Sequence, residues 1–504
     1  MSSDQKLLIF IPTYNESENV EVLFSHIYKL NLDAEILFLD DNSPDGTGQI
    51  IERLAADNEN VHSIHRSGKQ GIGSAHAAGI RWAYEHRFKY LVTMDCDFTH
   101  SPDRIADFLA CAETHDVIVG SRYLQEGSLR TWNLMRKMLT RVGHLLTTTL
   151  LRMPFDATGA FRLYRLDRIP PGMFDIVYST SYSFFFESLY VVWLNGFRIK
   201  EIPLDLPART YGHSKMAWRD AMRSAWLLVY LFFKTRIDRP ALLYAEPFTA
   251  LGELEPSRVQ GEWDTYWASK KRPDALVYDL IAAFYRKFII KRVLNYFVRK
   301  HFSSTDQILH AGCGSGQVDT DIASRNPISA LDISAQALSI YKKFQPNSVR
   351  LIHGSIFAIP VPDCSYDGVY NLGVMEHFTE DEIHQILDEF NRVVKPGGKI
   401  ALFWPPSFGL TVRVLAAVHW ILNRRGTPPI KLHPDEITHV RSRGQIQRYL
   451  QASGFSLVEF YFGPRDLFTQ AVIIGRRDAP AASREDVHQI DMRPGDLRMK
   501  RASS

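Results

Sequence analysis

Four cysteines in 504 residues (Cys96, Cys111, Cys313 and Cys364), with no Cys-x-x-Cys pair, exclude a disulfide framework and leave no zinc-ligand spacing. No stretch approaches the roughly 20 apolar residues that a membrane-crossing helix needs, the longest run being Ala225 to Phe233. Met1 to Lys6 is polar and lacks the apolar core of a signal peptide, so the expected compartment is the reducing cytoplasm. A net charge of +3 is too small to name a partner, and no nucleic-acid partner is expected. Internal repeats are also missing. What is present is the composition of a soluble globular protein, 45% hydrophobic and 23% charged, long enough for two or three domains.

The first half reads as an α/β domain. Leu7 to Ile11 is a buried strand that empties into Pro12-Thr13-Tyr14-Asn15-Glu16. A second strand, Glu35 to Leu39, ends at Asp40-Asp41-Asn42-Ser43-Pro44-Asp45-Gly46, and a third, starting at Tyr90, ends at Asp95-Cys96-Asp97. Strands separated by helical segments predict a parallel sheet whose functional loops lie beyond the strand C-termini, where each of these polar groups falls. Strand alternation puts Asp95 and Asp97 on one face, where two anions repel unless a cation sits between them. A hard ion such as Mg²⁺, shared with substrate phosphates, suits that place; taken alone, the tripeptide is also met as a solvated loop start. In Arg66-Ser67-Gly68-Lys69-Gln70-Gly71-Ile72-Gly73, glycines permit close backbone approach to a ligand, and Arg66 and Lys69 bring positive charge.

The set PTYNE, DDNSPDGTG, GKQGIGSAH, MDCDFTHSP, VGSRY, DATGAFRLYR and RTYGHSK, in this order over residues 7–216, resembles family 2 glycosyltransferases of GT-A fold. The resemblance is greatest to dolichol-phosphate mannosyltransferases, which move mannose from GDP-mannose to a polyprenyl phosphate. It implies that Pro12, Tyr14, Glu16 and Lys69 contact the nucleotide, that Asp41 holds base or ribose, and that Asp95 and Asp97 bind Mg²⁺ or Mn²⁺ on the diphosphate. Some relatives add a Gln two residues beyond the second Asp; here that position is Thr99. Arg209 and Lys215 match a basic segment that closes over the donor diphosphate.

A phosphate acceptor is already ionised and needs cationic positioning rather than a base. Arg122, Arg136 and Lys137 follow the next expected strand, Asp116 to Gly120, and the resemblance implies that Arg122, Arg136 and Thr140 hold the lipid phosphate. Asp95, Asp97, Arg122 and Arg136 are thus the expected catalytic set. Asp156 either orients the donor sugar or caps a turn. The segment Ala221 to Phe233, flanked by Arg219, Arg223, Lys234 and Arg236, either lies at a bilayer interface or packs on the core. Peripheral membrane contact is the corresponding partner expectation.

Prolines 240, 247, 256 and 273 mark a linker. The run Leu280 to Thr305 carries six Lys and Arg without one acid, yet its apolar residues do not gather on one helical face. Beyond it, strand Gln307 to Ala311 runs into Gly312-Cys313-Gly314-Ser315-Gly316. A second strand ends in Asp332, about 20 residues on, a spacing suited to ribose hydroxyls. With later elements through Gly475, this resembles a class I S-adenosylmethionine-dependent methyltransferase, a Rossmann-like fold. The resemblance implies that Gly312, Gly314, Gly316, Asp332 and Ser355 line the S-adenosylmethionine site. Two departures stand out: His310 where the family has Asp, and Ser355 where an Asp meets the adenine amine. Glu376 and His377 either act on a substrate or form a structural pair. Residues 410–422 and 431–437 read as an insertion over the cofactor site.

The expected organisation is 1–239 glycosyltransferase, 240–300 linker with a basic-aromatic helix, 301–477 methyltransferase-like, and 478–504 a disordered tail. The first reading is a bifunctional enzyme making a polyprenyl-phosphate hexose, with inverting transfer from GDP-mannose, and methylating a product in the same pathway. The second uses another donor, such as UDP-glucose or UDP-N-acetylglucosamine, with a methyltransferase-like scaffold. The third is a nucleotide-sugar-binding interaction protein.

Overall fold

The computed structural model describes residues 6–125, 134–204, 218–246, 248, 263, 276–345, 349–409 and 436–479. Two compact units emerge, one carrying the first seven strands and the other the last seven.

In the first unit, β1 (Leu7–Thr13), β2 (Ala34–Asp40), β3 (Val61–His65), β4 (Tyr90–Thr93), β5 (Val117–Ser121), β6 (Arg162–Arg165) and β7 (Ile199–Pro203) make one sheet. Its order is β3-β2-β1-β4-β6-β5-β7. Strands β3, β2, β1 and β4 are parallel, as expected. The sheet is nevertheless mixed, because β6 is antiparallel to both its neighbours. Alternate residues feed two cores. Leu8, Phe10, Leu37 and Leu39 pack on one face, and Leu7, Ile9, Ile36 and Phe38 on the other. Burial on both faces explains why these strands read as unbroken apolar runs.

Helices α1 (Val20–Lys29), α2 (Thr47–Asp57), α3 (Ile72–Glu85), α4 (Ile105–Ala112), α5 (Leu134–Leu150), α6 (Phe184–Leu194) and α7 (Trp218–Asp238) complete the unit, together with α8 (Leu276–Tyr285), which packs on α7. The basic run of the expected linker does not form one element. A π-helical turn, Arg286–Ile290, separates α8 from α9 (Lys291–His301), and the unit boundary falls after Ile290. This turn shifts the helical phase, which is why no common apolar face was visible over the whole run. Beyond it Val293, Leu294, Phe297 and Val298 line one buried stripe of α9.

The second unit contains β8 (Ile308–Ala311), β9 (Ile328–Asp332), β10 (Val349–His353), β11 (Tyr366–Leu372), β12 (Val394–Trp404), β13 (Phe455–Tyr461) and β14 (Ala471–Arg477). Their order is β10-β9-β8-β11-β12-β14-β13, with β14 alone antiparallel to its neighbours. This is the doubly wound arrangement in which ligands sit beyond the strand C-termini, at the reversal beside β8. The helix over Glu380–Val393 starts on a capping box. Thr379 accepts from the Glu382 amide, the Glu382 carboxylate accepts from the Thr379 amide, and Ile383, Ile386, Leu387 and Phe390 face the core. The segments 410–422 and 431–435, the tail from 480, and most of 247–275 lie outside the described residues.

Candidate active site of the first unit and cofactor cradle of the second

The loops after β1 and β2 are knitted together. Asn15 donates its amide to Ser43 Oγ at 2.9 Å, Glu16 to Thr47 Oγ1 at 2.9 Å, and Ser17 to Asp45 at 3.2 Å. Asp45 is held below its ordinary value: burial raises it, but hydrogen bonds from Thr47 and Ser17 outweigh that. Buried Asp40 anchors the second loop through Ser43. Asp41 accepts from the Arg66 guanidinium and from the Gln70 amide at 3.3 Å, and Arg66 donates to Ser74 Oγ at 2.7 Å. Arg66 is therefore committed to fixing Asp41, while Lys69 lies over the Tyr14 ring at 4.4 Å.

A cleft of about 380 Å³ opens at this edge of the sheet, lined by Pro12, Tyr14, Glu16, Asp41, Lys69, Asp95 and Asp97, with Ser181, Tyr182, Phe185 and Asp220 opposite. All the donor-side residues expected from the sequence that fall within the described residues converge there. The far wall was not foreseen. Its signal lay in the two glycines, which have a further purpose besides the expected one. A Cβ on Gly71 would come 2.6 Å from the Thr180 carbonyl oxygen, and one on Gly73 equally close to Phe184 Cβ and the Ser181 carbonyl. They admit the 180–181 backbone, the protein's own wall, and Gly71 also lines the cleft.

β4 ends at Thr93, so Asp95 and Asp97 stand in the bend beyond the strand, with Phe98 at φ 59°. Asp97 is buried and accepts from the Thr99 amide at 3.2 Å and from Thr99 Oγ1 at 2.6 Å. Thr99 thus orients Asp97. The Asp95 amide donates to His100 Nδ1 at 3.0 Å, and His100 stacks on Phe161. Among the described residues no group of three or more His, Cys, Asp or Glu side chains is arranged to hold a metal. Two carboxylates facing a cleft do suit a hard cation that takes its remaining oxygens from water and a diphosphate.

Asp156 is fully buried. Its Oδ2 accepts from Arg122 Nε at 2.7 Å and the Arg122 amide at 3.1 Å, while Oδ1 accepts from the Thr158 amide at 3.3 Å. These bonds cap the turn at Thr158 and orient Arg122. Buried Arg162 donates to the Ala157 carbonyl at 2.8 Å, and Thr93 Oγ1 to the Ala160 carbonyl at 2.6 Å. The loop before β6 is thereby tied to the ends of β4 and β5. Tyr123 donates to the Thr140 carbonyl at 3.1 Å and stacks on His144, so α5 lies beside Arg122. Neither Arg122 nor Thr140 lines the donor cleft. The Arg136 side chain, Arg209 and Lys215 lie outside the described residues.

In the second unit Gly312, Gly314 and Gly316 have φ of 74°, 53° and 65°, a run of left-handed residues that glycine alone adopts cheaply. Asp332 accepts from the Gly314 amide at 2.8 Å and the Ser334 amide at 2.9 Å, which joins the β9 end to the glycine loop. Ser355 stands just past β10, where its hydroxyl accepts from the Phe357 amide at 3.2 Å. His310 is buried, stacked on Tyr370, and bonded through Nδ1 to Asp319 at 2.6 Å. A buried carboxylate, Asp319, which no sequence motif flagged, thus stands beside position 310. Burial pushes the Cys313 thiol well above its usual value, in keeping with no nucleophilic role. Three glycines, a carboxylate bonded into their loop, and a crevice at the β8 edge suit a nucleoside cofactor.

Residues 8–172 match the family described as "Glycosyl transferase family 2", and residues 309–402 match "Methyltransferase domain". An undecaprenyl-phosphate mannosyltransferase of Micrococcus luteus is 34% identical over 213 residues, covering 42% of this chain and 88% of that protein. A polyprenol monophosphomannose synthase of Mycolicibacterium smegmatis is 32% identical over 238 residues, covering 47% of this chain and 90% of that protein. Among solved structures, an S-adenosylmethionine-dependent methyltransferase of Methanosarcina mazei is 17% identical with a TM-score of 0.30, covering 36% of this chain and 98% of its own.

Proposed function

Because this chain belongs to glycosyltransferase family 2 and carries a methyltransferase domain behind it, we propose that its first unit transfers mannose from GDP-mannose to a polyprenyl phosphate with inversion, and that its second methylates a product of the same pathway using S-adenosylmethionine. The observation that carries the first part is the convergence of Pro12, Tyr14, Glu16, Asp41, Lys69, Asp95 and Asp97 on one cleft, with Arg122 fixed at the neighbouring strand end.

The nucleotide lies against Pro12, Tyr14, Glu16 and Lys69, with Asp41 on its base or ribose. Mg²⁺ or Mn²⁺ held by Asp95 and Asp97 supplies charge neutralisation on the leaving diphosphate. Arg122, Arg136 and Thr140 hold the acceptor phosphate. One of its oxygens bonds to the anomeric carbon as the bond to the diphosphate breaks, and the electron pair leaves with the nucleotide. No proton has to be removed, so the side chains contribute position and positive charge. Arg209 and Lys215 close over the diphosphate and keep water out. In the second unit Gly312, Gly314, Gly316, Asp332 and Ser355 bind S-adenosylmethionine.

The test of donor and acceptor is incubation with Mg²⁺, an undecaprenyl phosphate and, side by side, GDP-mannose, UDP-glucose and UDP-N-acetylglucosamine. Lipid-soluble product from GDP-mannose alone is expected; product from a UDP-sugar instead overturns the donor assignment.

A lipid acceptor also gives meaning to the outer face of the first unit. On α7 Met222, Trp226, Val229 and Phe233, and on α5 Met138, Val142 and Leu145, follow helical spacing and are exposed, while Leu227, Leu228 and Leu231 of α7 face the core. The two helices pack together, Ile281 and Phe284 of α8 extend the patch, and Arg141, Arg219 and Arg223 stand exposed beside it. Lys234, in contrast, is buried and paired with Asp238 at 2.7 Å. No helix among the described residues is long and apolar enough to cross a membrane. An apolar stripe with flanking cations suits contact with an anionic bilayer surface. The protein is expected to float with vesicles containing phosphatidylglycerol. A Trp226→Glu, Phe233→Glu variant is expected to bind them at least about 10-fold more weakly, since each change exposes a charge to the apolar boundary. Equal flotation of the two would exclude this face.

A further inference from the structure

Beyond the end of β11 the chain turns at Gly373, with φ 68°, into a short 3-10 turn, Met375–His377. Val374 leans on the glycine loop, its Cγ2 lying 2.6 Å from where a Cβ on Gly312 would stand. The Glu376 carboxyl folds back over Gly373, with Oε1 3.6 Å from the corresponding point there. Glu376 is 6% exposed, and its Oε2 is buried without a hydrogen-bond partner among the described residues. Its backbone carbonyl is well used, accepting from the Ile437 amide at 2.6 Å and the Thr438 amide at 3.0 Å. Those bonds draw the segment after the insertion onto this strand edge, where Glu436 pairs with His439 at 2.8 Å. The main chain at 376 is therefore structural, whereas the carboxyl keeps one oxygen, Oε2, without a protein partner among the described residues.

A buried carboxyl with one oxygen unbonded is expensive to maintain. Here it stands at the strand edge where the glycine loop also lies. We propose that Glu376 is the proton acceptor of the methyl-transfer site, and that the group methylated there is a hydroxyl. This rests on the reading of the second unit as a methyltransferase. The hydroxyl oxygen bonds to the methyl carbon, the S–CH₃ electron pair returns to sulfur to leave a neutral thioether, and the hydroxyl proton passes to the Glu376 carboxylate. Burial, reinforced by the Glu436 carboxylate, pushes the Glu376 carboxyl up to about 8. In the empty site at neutral pH it is mostly protonated. A cationic sulfonium bound nearby favours the carboxylate, so Glu376 gives up its proton as the cofactor arrives and becomes ready to take another from the acceptor. Among the described residues the charged group felt by the Glu376 carboxyl is Glu436, itself paired with His439, and His377 follows it in the chain.

The experiment is calorimetric titration of the whole protein at pH 7 in two buffers of different ionisation enthalpy, with S-adenosylmethionine and with S-adenosylhomocysteine. Proton release is expected with the sulfonium and much less with the neutral thioether. Glu376→Gln, which keeps the shape, is expected to bind S-adenosylmethionine within about 3-fold of wild type but without release. Release that persists in the variant, or none in the wild type, overturns the assignment. Failure of the wild type to bind S-adenosylmethionine brings down the methyltransferase reading itself and is a different result. As a second arm, methyl transfer to octyl mannoside is expected to fall about 10²-fold in Glu376→Gln. Transfer to its 6-thiol analogue, which ionises without help, is expected to fall far less. An equal fall for both marks a structural role, and methylation of neither by the wild type overturns the hydroxyl assignment.

Discussion

Asp97→Ala is expected to lower mannosyl transfer by about 10²–10³-fold, the usual effect of removing one group that stabilises charge developing on a leaving atom. The side chain is buried, and Thr99 spends both its amide and its hydroxyl on it. Loss of activity by loss of structure must therefore be separated from loss of charge. Asp97→Asn accomplishes this, because the amide oxygen still accepts from Thr99 while the negative charge is gone. The asparagine variant should melt with the wild type and yet be nearly as inactive as the alanine variant. Transfer of labelled mannose into an organic phase measures the first, and thermal unfolding the second. Donor turnover that survives in Asp97→Ala would sink the metal role of this carboxylate.

The second large effect concerns stability as much as rate. Arg122 and Asp156 form a pair in which the carboxylate is wholly enclosed and the guanidinium nearly so. Removing one member of such a pair leaves the other charge buried and uncompensated, a loss of about 3–5 kcal/mol. Asp156→Ala should accordingly lower the urea midpoint markedly and abolish detectable transfer. Asp156→Ala combined with Arg122→Met removes both charges and should regain much of the stability without regaining transfer. If the double variant is as active as the wild type, Arg122 does not hold the acceptor phosphate. If Asp156→Ala alone is as stable as the wild type, the pair contributes nothing.

How much of this was legible beforehand depended on what kind of fact was needed. Strand ends were readable, because burial on both faces leaves unbroken apolar runs that stop abruptly at polar loops. Hence the loops that carry the donor-side residues and the glycines of the second unit could be placed at strand ends, while the roles expected of single residues came from the family resemblance. What could not be read was partnership across the fold. Asp156 carries no local mark of Arg122, 34 positions away, and Gly73 does not reveal that Thr180 and Ser181 are what it makes room for. Asp319 carries no local mark of His310, its partner nine positions earlier. The basic run through Leu280 to Thr305 misled for a geometric reason. A periodicity test assumes constant pitch, and the π-turn at Arg286–Ile290 breaks it.

The direction of β6 carries a last consequence. Because that strand runs backwards between β4 and β5, the loop preceding it begins where they end, and Thr93 and Gly120 both bond to it. The strand ends that lead to Asp95 and Asp97 on one side and to Arg122 on the other are then riveted to one slab, and their spacing is fixed when the sheet forms. Such a floor behaves like a gauge block. Under the proposed function it would set the travel of the sugar for every donor alike, so telling one sugar from another would fall to parts of the protein that are not built into that slab.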